Sequence, residues 1–352
     1  MTPAPTILIV KLSAIGDVIH TLPALNAIRR RYPRAHITWL VEPAAADLIV
    51  GHEALDRVLV SQRREWAGGI KTGPRAKSLH RIARFVRALR DTRYDMVLDF
   101  QALLKGSLWV ALARGRRKIG FGPGMAHQEM SWLLLNERIP AISMEVHALE
   151  RNLIMLEALG IHTRRVEYRL PVGPDNVRWV RQRLAGGGRP VVAINPMAKW
   201  PTKLWVPERF AVLADRLVTA RGAAVVFTGG PEDRGSVDAI IARMSSPAIN
   251  LAGETSLKTL AALYASADCL VTTDTGPMHL AAAVALPVVA LFGPTAPWRT
   301  GPYGRRHRVV RTAAACSPCF KRTCGTCHCM QAITVDDVTA ATLDLLDGGV
   351  ER

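Results

Sequence analysis

Long apolar runs are missing from this 352-residue chain. Hydrophobic residues make up 49% of it, yet no stretch reaches the roughly 18 uninterrupted residues expected of a membrane-spanning helix. Met1 to Pro5 lack the basic start and apolar core of a secretory leader. These absences lead us to expect a soluble, cytoplasmic protein. Cysteine is also scarce until late. Cys269 stands alone, and Cys316, Cys319, Cys324, Cys327 and Cys329 then crowd together. In a cytoplasmic chain such a cluster does not read as a disulfide framework. Low-complexity tails are absent, as is any Asp-x-Asp metal signature in a suitable place.

Acidic side chains are in short supply: 29 Asp and Glu face 46 Lys and Arg, a net charge of +17. Residues 61–93 are the densest patch, with ten basic and two acidic side chains. Such a field attracts polyanions: nucleic acid, a phospholipid surface or a phosphorylated glycolipid. No helix-turn-helix, zinc-finger array or aromatic RNA platform accompanies the charge, which disfavours nucleic acid.

At this length two domains are the default. Residues 6–11 read as a buried strand running into a loop, Leu12 to Asp17, and then a helix carrying Leu22, Leu25 and Ile28 at helical spacing. This strand–glycine loop–helix opens an α/β sheet, whose ligands collect at the carboxyl ends of strands. The second and third glycines of a dinucleotide fingerprint are missing, so a nicotinamide site is poorly supported. Strands are expected at 36–41, 57–60 and 96–100, and helices at 77–90 and 146–159. Leu79, Ile82, Val86 and Leu89 share the apolar face of the 77–90 helix. Gly68, Gly69, Gly73 and Pro74 predict a mobile loop, residues 114–118 a basic turn and 120–124 a glycine-rich turn.

Residues 171–175 read as a linker, after which the βα rhythm restarts. Strands are expected at 190–195, 223–228, 269–271 and 288–292, and helices at 208–220, 257–265 and 335–346. Thr334 is the cap of the last. The expected organisation is a lobe at 1–172, a second at 173–333 and a final helical segment at 334–352. Two parallel α/β lobes should face each other across a cleft.

The most informative stretch is Thr272-Thr273-Asp274-Thr275-Gly276-Pro277-Met278-His279-Leu280. It joins an apolar strand to a small-residue helix. Gly276 lets backbone approach a ligand, and the first N–H groups of the helix point toward an anion. Asp274 and His279 add a carboxylate and an imidazole. The plain alternative is an ordinary helix capped by Asp274 or Thr275.

Several separated segments together resemble glycosyltransferase family 9, the bacterial lipopolysaccharide heptosyltransferases. They are IVKLSAIGDVIHTLPAL at 9–25, YDMVLDFQALLKGS at 94–107, HALER at 147–151, WPTKLWVPERF at 200–210, TGGPEDR at 228–234 and TDTGPMHLAAAVALPVVALFGPTAP at 273–297. In the second, Gly106 precedes Ser107 where the family pattern has serine. The resemblance implies a GT-B fold of two Rossmann-like lobes, with acceptor on the first and nucleotide sugar on the second. It also implies that the final helix packs back on the first lobe. The opening segment and Lys203-Leu204-Trp205 are most similar to enzymes that add the first heptose to Kdo.

That activity needs a base for the acceptor hydroxyl and a means of stabilising the departing diphosphate. The family's matching aspartate makes Asp17 the expected base, a role worth roughly 10²–10⁴ in rate; its plain alternative is a helix cap. Lys203 is expected to meet the phosphate charge, aided by N–H groups at Thr275 and Gly276. Lys199, Glu232 (for ribose, with Asp233 as the alternative), Asp274 and His279 complete the expected donor contacts. On the acceptor side stand Ser13, Gly16, Arg63, Arg64, Lys105, His147 and Arg151, with Lys71 and Arg81 as further cations. Inversion without metal or cofactor is expected. The expected partners are ADP-heptose and a Kdo-lipid A or core glycolipid, with peripheral contact to the anionic cytoplasmic face of the inner membrane and no nucleic acid. A monomer is expected. A nucleotide-sugar epimerase of the same fold, or transfer of a later heptose or another sugar, are the alternatives. The cysteine cluster leaves zinc, a disulfide and free thiols all open.

Overall fold

Ile7 to Val10 are fully buried, as an uninterrupted apolar run must be when helices cover both faces of a parallel sheet. In the computed structural model, which describes residues 4–73, 75–125 and 129–348, this run is the centre of the first of two sheets. The chain divides into two compact units, residues 1–171 and 172–352. The first sheet contains β1 (Thr6–Val10), β2 (His36–Val41), β3 (Arg57–Val60), β4 (Tyr94–Asp99), β5 (Gly115–Phe121) and β6 (Glu137–Ile139). Their order is β3-β2-β1-β4-β5-β6, and every pair is parallel.

The second unit repeats that plan. It contains β7 (Val191–Asn195), β8 (Ala224–Phe227), β9 (Ile249–Asn250), β10 (Cys269–Thr273), β11 (Val288–Phe292) and β12 (His307–Arg311). The order β12-β11-β10-β7-β8-β9 is the same topology read from the other edge, again all parallel. Both units are therefore Rossmann-like doubly wound sheets, in which the chain reverses direction between β1 and β4, and between β7 and β10. Ligands bind outside the carboxyl ends of strands at such reversals.

Several expectations change. Gly68 and Gly69 lie inside a helix, Arg63–Thr72, rather than in a mobile loop; Pro74 falls outside the described residues. Trp66 explains the helix. It is buried against Phe85 and Trp109, and such tertiary packing overrides the weak helix propensity of glycine. The stretch read as a basic turn, together with Gly120 and Phe121, is β5, whose basic start is exposed and whose end is buried; the expected turn holds only at Pro123 and Gly124. In the helix Arg75–Arg90, Leu89 is buried but Leu79 is 58% exposed, so Leu79 is not a core residue.

The last helix, Val335–Leu346, starts as expected. The Thr334 hydroxyl accepts the Asp337 N–H. Its contacts, however, are with the helix Pro207–Arg221 and with β10, β11 and β12, and Val338 and Leu345 are buried in the second unit's core. Those apolar side chains complete the core of the second unit. Among the described residues no helix is long and apolar enough to cross a membrane.

Candidate active site

In the first unit, the ends of β1 and β4 are tied into one platform. Asp99 closes β4 and is buried. Its carboxylate accepts the N–H groups of Gln101 and Ala102 at 3.0 and 3.1 Å and the Ser107 hydroxyl at 2.7 Å. Burial pushes its carboxyl above the usual range. Gln101 then reaches across, its amide oxygen accepting the N–H groups of Leu12 and Ser13 at 2.8 and 3.1 Å. Gly106 is obligatory here, since a Cβ at that position would stand 2.7 Å from the Gln101 Cβ. The Asp–Gln–Ser pattern of the sequence is thus a fastening between two loops.

Beside this platform lies a cavity of about 210 Å³ lined by Lys11, Asp17, His20, Gln101, Arg151 and Asn152, among others. Asp17 is at the third position of the helix Ile15–Arg31, and its carboxylate accepts the Ala14 N–H at 2.9 Å. It is only partly buried. The capping contact and the cavity position coexist, because one carboxylate has lone pairs for both. Gly16 is buried in the same first turn. Ser13 accepts from Lys105 Nζ at 2.6 Å, and burial draws the Lys105 ammonium below its ordinary value.

Lys11 was not anticipated. It is 8% exposed, and its Nζ donates to the Phe100 carbonyl at 2.8 Å. Burial lowers its pKa, with Asp17 and Asp99 as the nearest opposing charges. The available signal was a lysine terminating the apolar run Ile7-Leu8-Ile9-Val10. His20, also unanticipated, is buried with its ring edge-on to His147 at 5.1 Å.

His147 caps the helix Ala148–Glu157, Nδ1 accepting the Leu149 N–H. Arg151 donates to the Met144 and Val146 carbonyls at 3.0 Å each while lining the cavity. Arg63 and Arg64 lie 3.4 and 3.8 Å from Glu42, whose side chain is 7% exposed. Part of the charge assigned to the acceptor is therefore offset within the fold.

In the second unit, Asp274 follows β10 and is 6% exposed. One carboxylate oxygen accepts from Lys203 Nζ and from the Thr295 hydroxyl, each at 2.7 Å. Thr275 holds the cap position of the helix Gly276–Ala283 in extended backbone, and no side chain caps that helix. The ordinary-cap reading fails, because Asp274 turns toward the lysine instead. His279 is buried one turn into the helix.

Lys203 is held by its neighbours. Trp205 is buried edge-on against Phe210 and donates its indole N–H to the Ile333 carbonyl at 3.0 Å. Thr202 donates its hydroxyl to the Lys321 carbonyl, and Lys203 Nζ lies 4.5 Å from the Trp200 ring centroid. Lys199 is exposed. Glu232 is exposed as well, whereas Asp233 is engaged by the Gly230 N–H at 2.8 Å.

Residues 82–329 match the family model described as glycosyltransferase family 9 (heptosyltransferase). The lipopolysaccharide heptosyltransferase 1 of Pseudomonas aeruginosa is 31% identical over 325 residues, covering 90% of this chain and 87% of that protein. The lipopolysaccharide core heptosyltransferase OpsX of Haemophilus influenzae is 27% identical, over 88% and 85% of the two chains. Among solved structures, E. coli heptosyltransferase WaaC with ADP superposes with a TM-score of 0.78 at 25% identity, over 97% of this chain and 99% of that one. These matches, together with two Rossmann-like domains of GT-B type, identify the chain as a glycosyltransferase and a member of glycosyltransferase family 9, the heptosyltransferases.

Proposed function

We propose that this enzyme transfers heptose from ADP-heptose to the Kdo of the lipopolysaccharide inner core, with inversion and without a metal ion. The observation that carries the reading is the cluster of Lys203, Asp274 and Thr295 beside the uncapped start of the helix Gly276–Ala283. A lysine ammonium and helix N–H groups together supply what a departing diphosphate needs. The family relationship adds weight, since the solved E. coli relative holds ADP.

In the proposed step the acceptor oxygen attacks the anomeric carbon as the bond to the β-phosphate oxygen breaks. Its proton passes to Asp17, and ADP leaves with the bonding pair. One displacement inverts the anomeric centre. Glu232, exposed after Gly230 at the end of β8, is assigned to the ribose hydroxyls; His279 and the N–H groups of Thr275 and Gly276 to the donor's phosphates and sugar. Lys199 is a peripheral contact for the same diphosphate. Lys105, Arg63, Arg64, Arg151 and His147 are assigned to the acceptor, whose Kdo carboxylate matches their charge. The basic surface of residues 61–93 is suited to a peripheral anionic membrane, with the enzyme working as a monomer.

The test is incubation with ADP-heptose and Kdo-lipid A, reading ADP release and a heptose-sized mass gain with and without EDTA. Asp17→Ala should lower kcat by about 10²–10⁴ while remaining folded. Wild-type turnover by that variant removes Asp17 as the base. Preference for an acceptor already carrying one heptose reassigns the enzyme to a later position.

A further inference from the structure

The cysteine-rich segment carries chemistry that the transfer reaction does not use. Residues 312–331 form a strap around the loops that hold the Lys203–Asp274 pair. The Ser317 hydroxyl donates to the Gly293 carbonyl at 2.6 Å, and the N–H groups of Cys319 and Phe320 donate to the Pro294 carbonyl at 3.1 and 2.8 Å. The next residue, Thr295, donates to Asp274. On the other side Lys321 accepts from Thr202 at 2.9 Å. The Arg322 guanidinium lies 4.9 Å from the Trp200 ring, the same ring that Lys203 contacts. Cys329 and Met330 fill the space above Gly293, where a Cβ would meet sulfur at 2.6 and 3.0 Å.

Two residues beyond Arg322, Cys324 and Cys327 share one tight turn. The Cys327 N–H donates to Cys324 Sγ at 3.4 Å, and the Cys327 thiol points at the Cys324 carbonyl at 3.7 Å. Cys327 adopts the left-handed region, φ 44°, which folds the turn back on itself. Cys324 is exposed and Cys327 half-buried, whereas Cys329 is buried. The amide N–H of Cys327 holds the Cys324 thiol below its ordinary pKa, and burial holds that of Cys327 above. One is thus the nucleophile and the other the resolving thiol. All six cysteines are free, and among the described residues no group of three or more ligating side chains is arranged to hold a metal.

We propose that Cys324 and Cys327 form a reversible disulfide whose closure, transmitted through Lys321 and Arg322, weakens nucleotide binding at the Lys203 site. The oxidant is a small-molecule disulfide. The Cys324 thiolate attacks one of its sulfurs, the S–S bond breaks, and the released thiolate takes up a proton. Cys327, after losing its proton to solvent, attacks the Cys324 sulfur of the mixed disulfide and expels the second thiolate. The pair loses two electrons and two protons, and the oxidant becomes two thiols. A cytosolic disulfide is expected to be transient and sensing, not structural.

The coupling half rests on the donor reading above, so the test separates the two. The full chain is reduced, desalted and treated with glutathione disulfide. Its thiols are mapped by alkylation and mass spectrometry, and ADP affinity is measured in both forms. The expected first product joins Cys324 to Cys327, with loss of two hydrogens and reversal by dithiothreitol. ADP affinity should fall at least about fivefold, the lower end of usual coupling between sites. Cys324→Ser should abolish both effects and Cys316→Ser neither. Closure of a different pair, unchanged ADP affinity after closure, or one zinc per chain bound to these thiols as purified overturns the proposal. Failure of the reduced protein to bind ADP overturns the donor reading, and the coupling with it; the disulfide then stands or falls on the thiol map alone.

Discussion

Lys203→Ala separates the structural and chemical duties of one ammonium group. It removes Nζ from 2.7 Å beside Asp274, in a pair whose side chains are only 15% and 7% exposed. Breaking a buried pair from one side destabilises by about 3–5 kcal/mol, because the remaining charge is left uncompensated. Thr295 still donates to that carboxylate, which places the expected loss at the lower end, about 3 kcal/mol. In a unit of this size each kcal/mol lowers the melting temperature by about 2–4 °C, so a fall of about 6–12 °C is expected. The double variant Lys203→Met with Asp274→Asn removes both charges. It should return to within about 1 kcal/mol of the wild type, since well-packed neutral replacements of buried pairs are often near neutral. Its turnover should nevertheless stay down by about 10²–10³, the usual consequence of deleting one electrostatic stabiliser. Calorimetry and the ADP-release assay read the two effects separately. If Lys203→Ala melts with the wild type, or the double variant melts no higher than the single, the pair does not hold this loop as described. Wild-type turnover by the double variant would show that the lysine does not stabilise the leaving group.

Two further outcomes follow from the first unit. Gly106→Ala places a Cβ about 2.7 Å from that of Gln101 and should destabilise by about 1–3 kcal/mol through overpacking; a denaturant midpoint equal to the wild type's would show that the fastening yields freely. Lys11 has a folded-state pKa below its unfolded value because of burial, so the unfolded chain binds more protons across the interval between them. Stability from this group is therefore lowest below the depressed folded value and rises as pH climbs from there toward the ordinary lysine value. The stability of the wild type relative to Lys11→Met should accordingly improve from pH 7 to pH 10, measured by urea unfolding. A difference that stays flat or widens against the wild type refutes that placement of the ammonium.

Local pattern was enough for much of this protein. Val288–Phe292 and residues 7–10 are short, β-branched-rich runs with no polar interruption, as suits a strand covered on both faces. Thr334 and Asp337 carry the last helix's start in their own side chains. The strands without a legible pattern are β5, β6, β9 and β12. β6, β9 and β12 end their sheets, and exposed edges favour charge over apolar pattern, as in His307–Arg311; the interior β5, Gly115–Phe121, is masked by its exposed basic start, Arg116 and Arg117. The helix at Arg63–Thr72 escaped for the complementary reason, since a buried tryptophan outweighs two glycines.

The sequence by itself determined the class of fold, two rounds of parallel α/β structure, and with the family resemblance it offered Asp17, Lys203 and the Asp274–His279 turn as candidates. The glycine loop before Asp17 and the Asp274–His279 turn are local signals, each a strand end, a glycine and polar side chains within a few residues, whereas Lys203 stands out through the resemblance of its segment. Only the tertiary structure decided which of these residues act together. Lys203 and Asp274 are 71 residues apart yet share a hydrogen bond, and Lys11 meets Phe100 across 89. Such meetings depend on strand order, which is set by how sheets and helices bury their faces against one another, and no stretch of neighbouring residues encodes that.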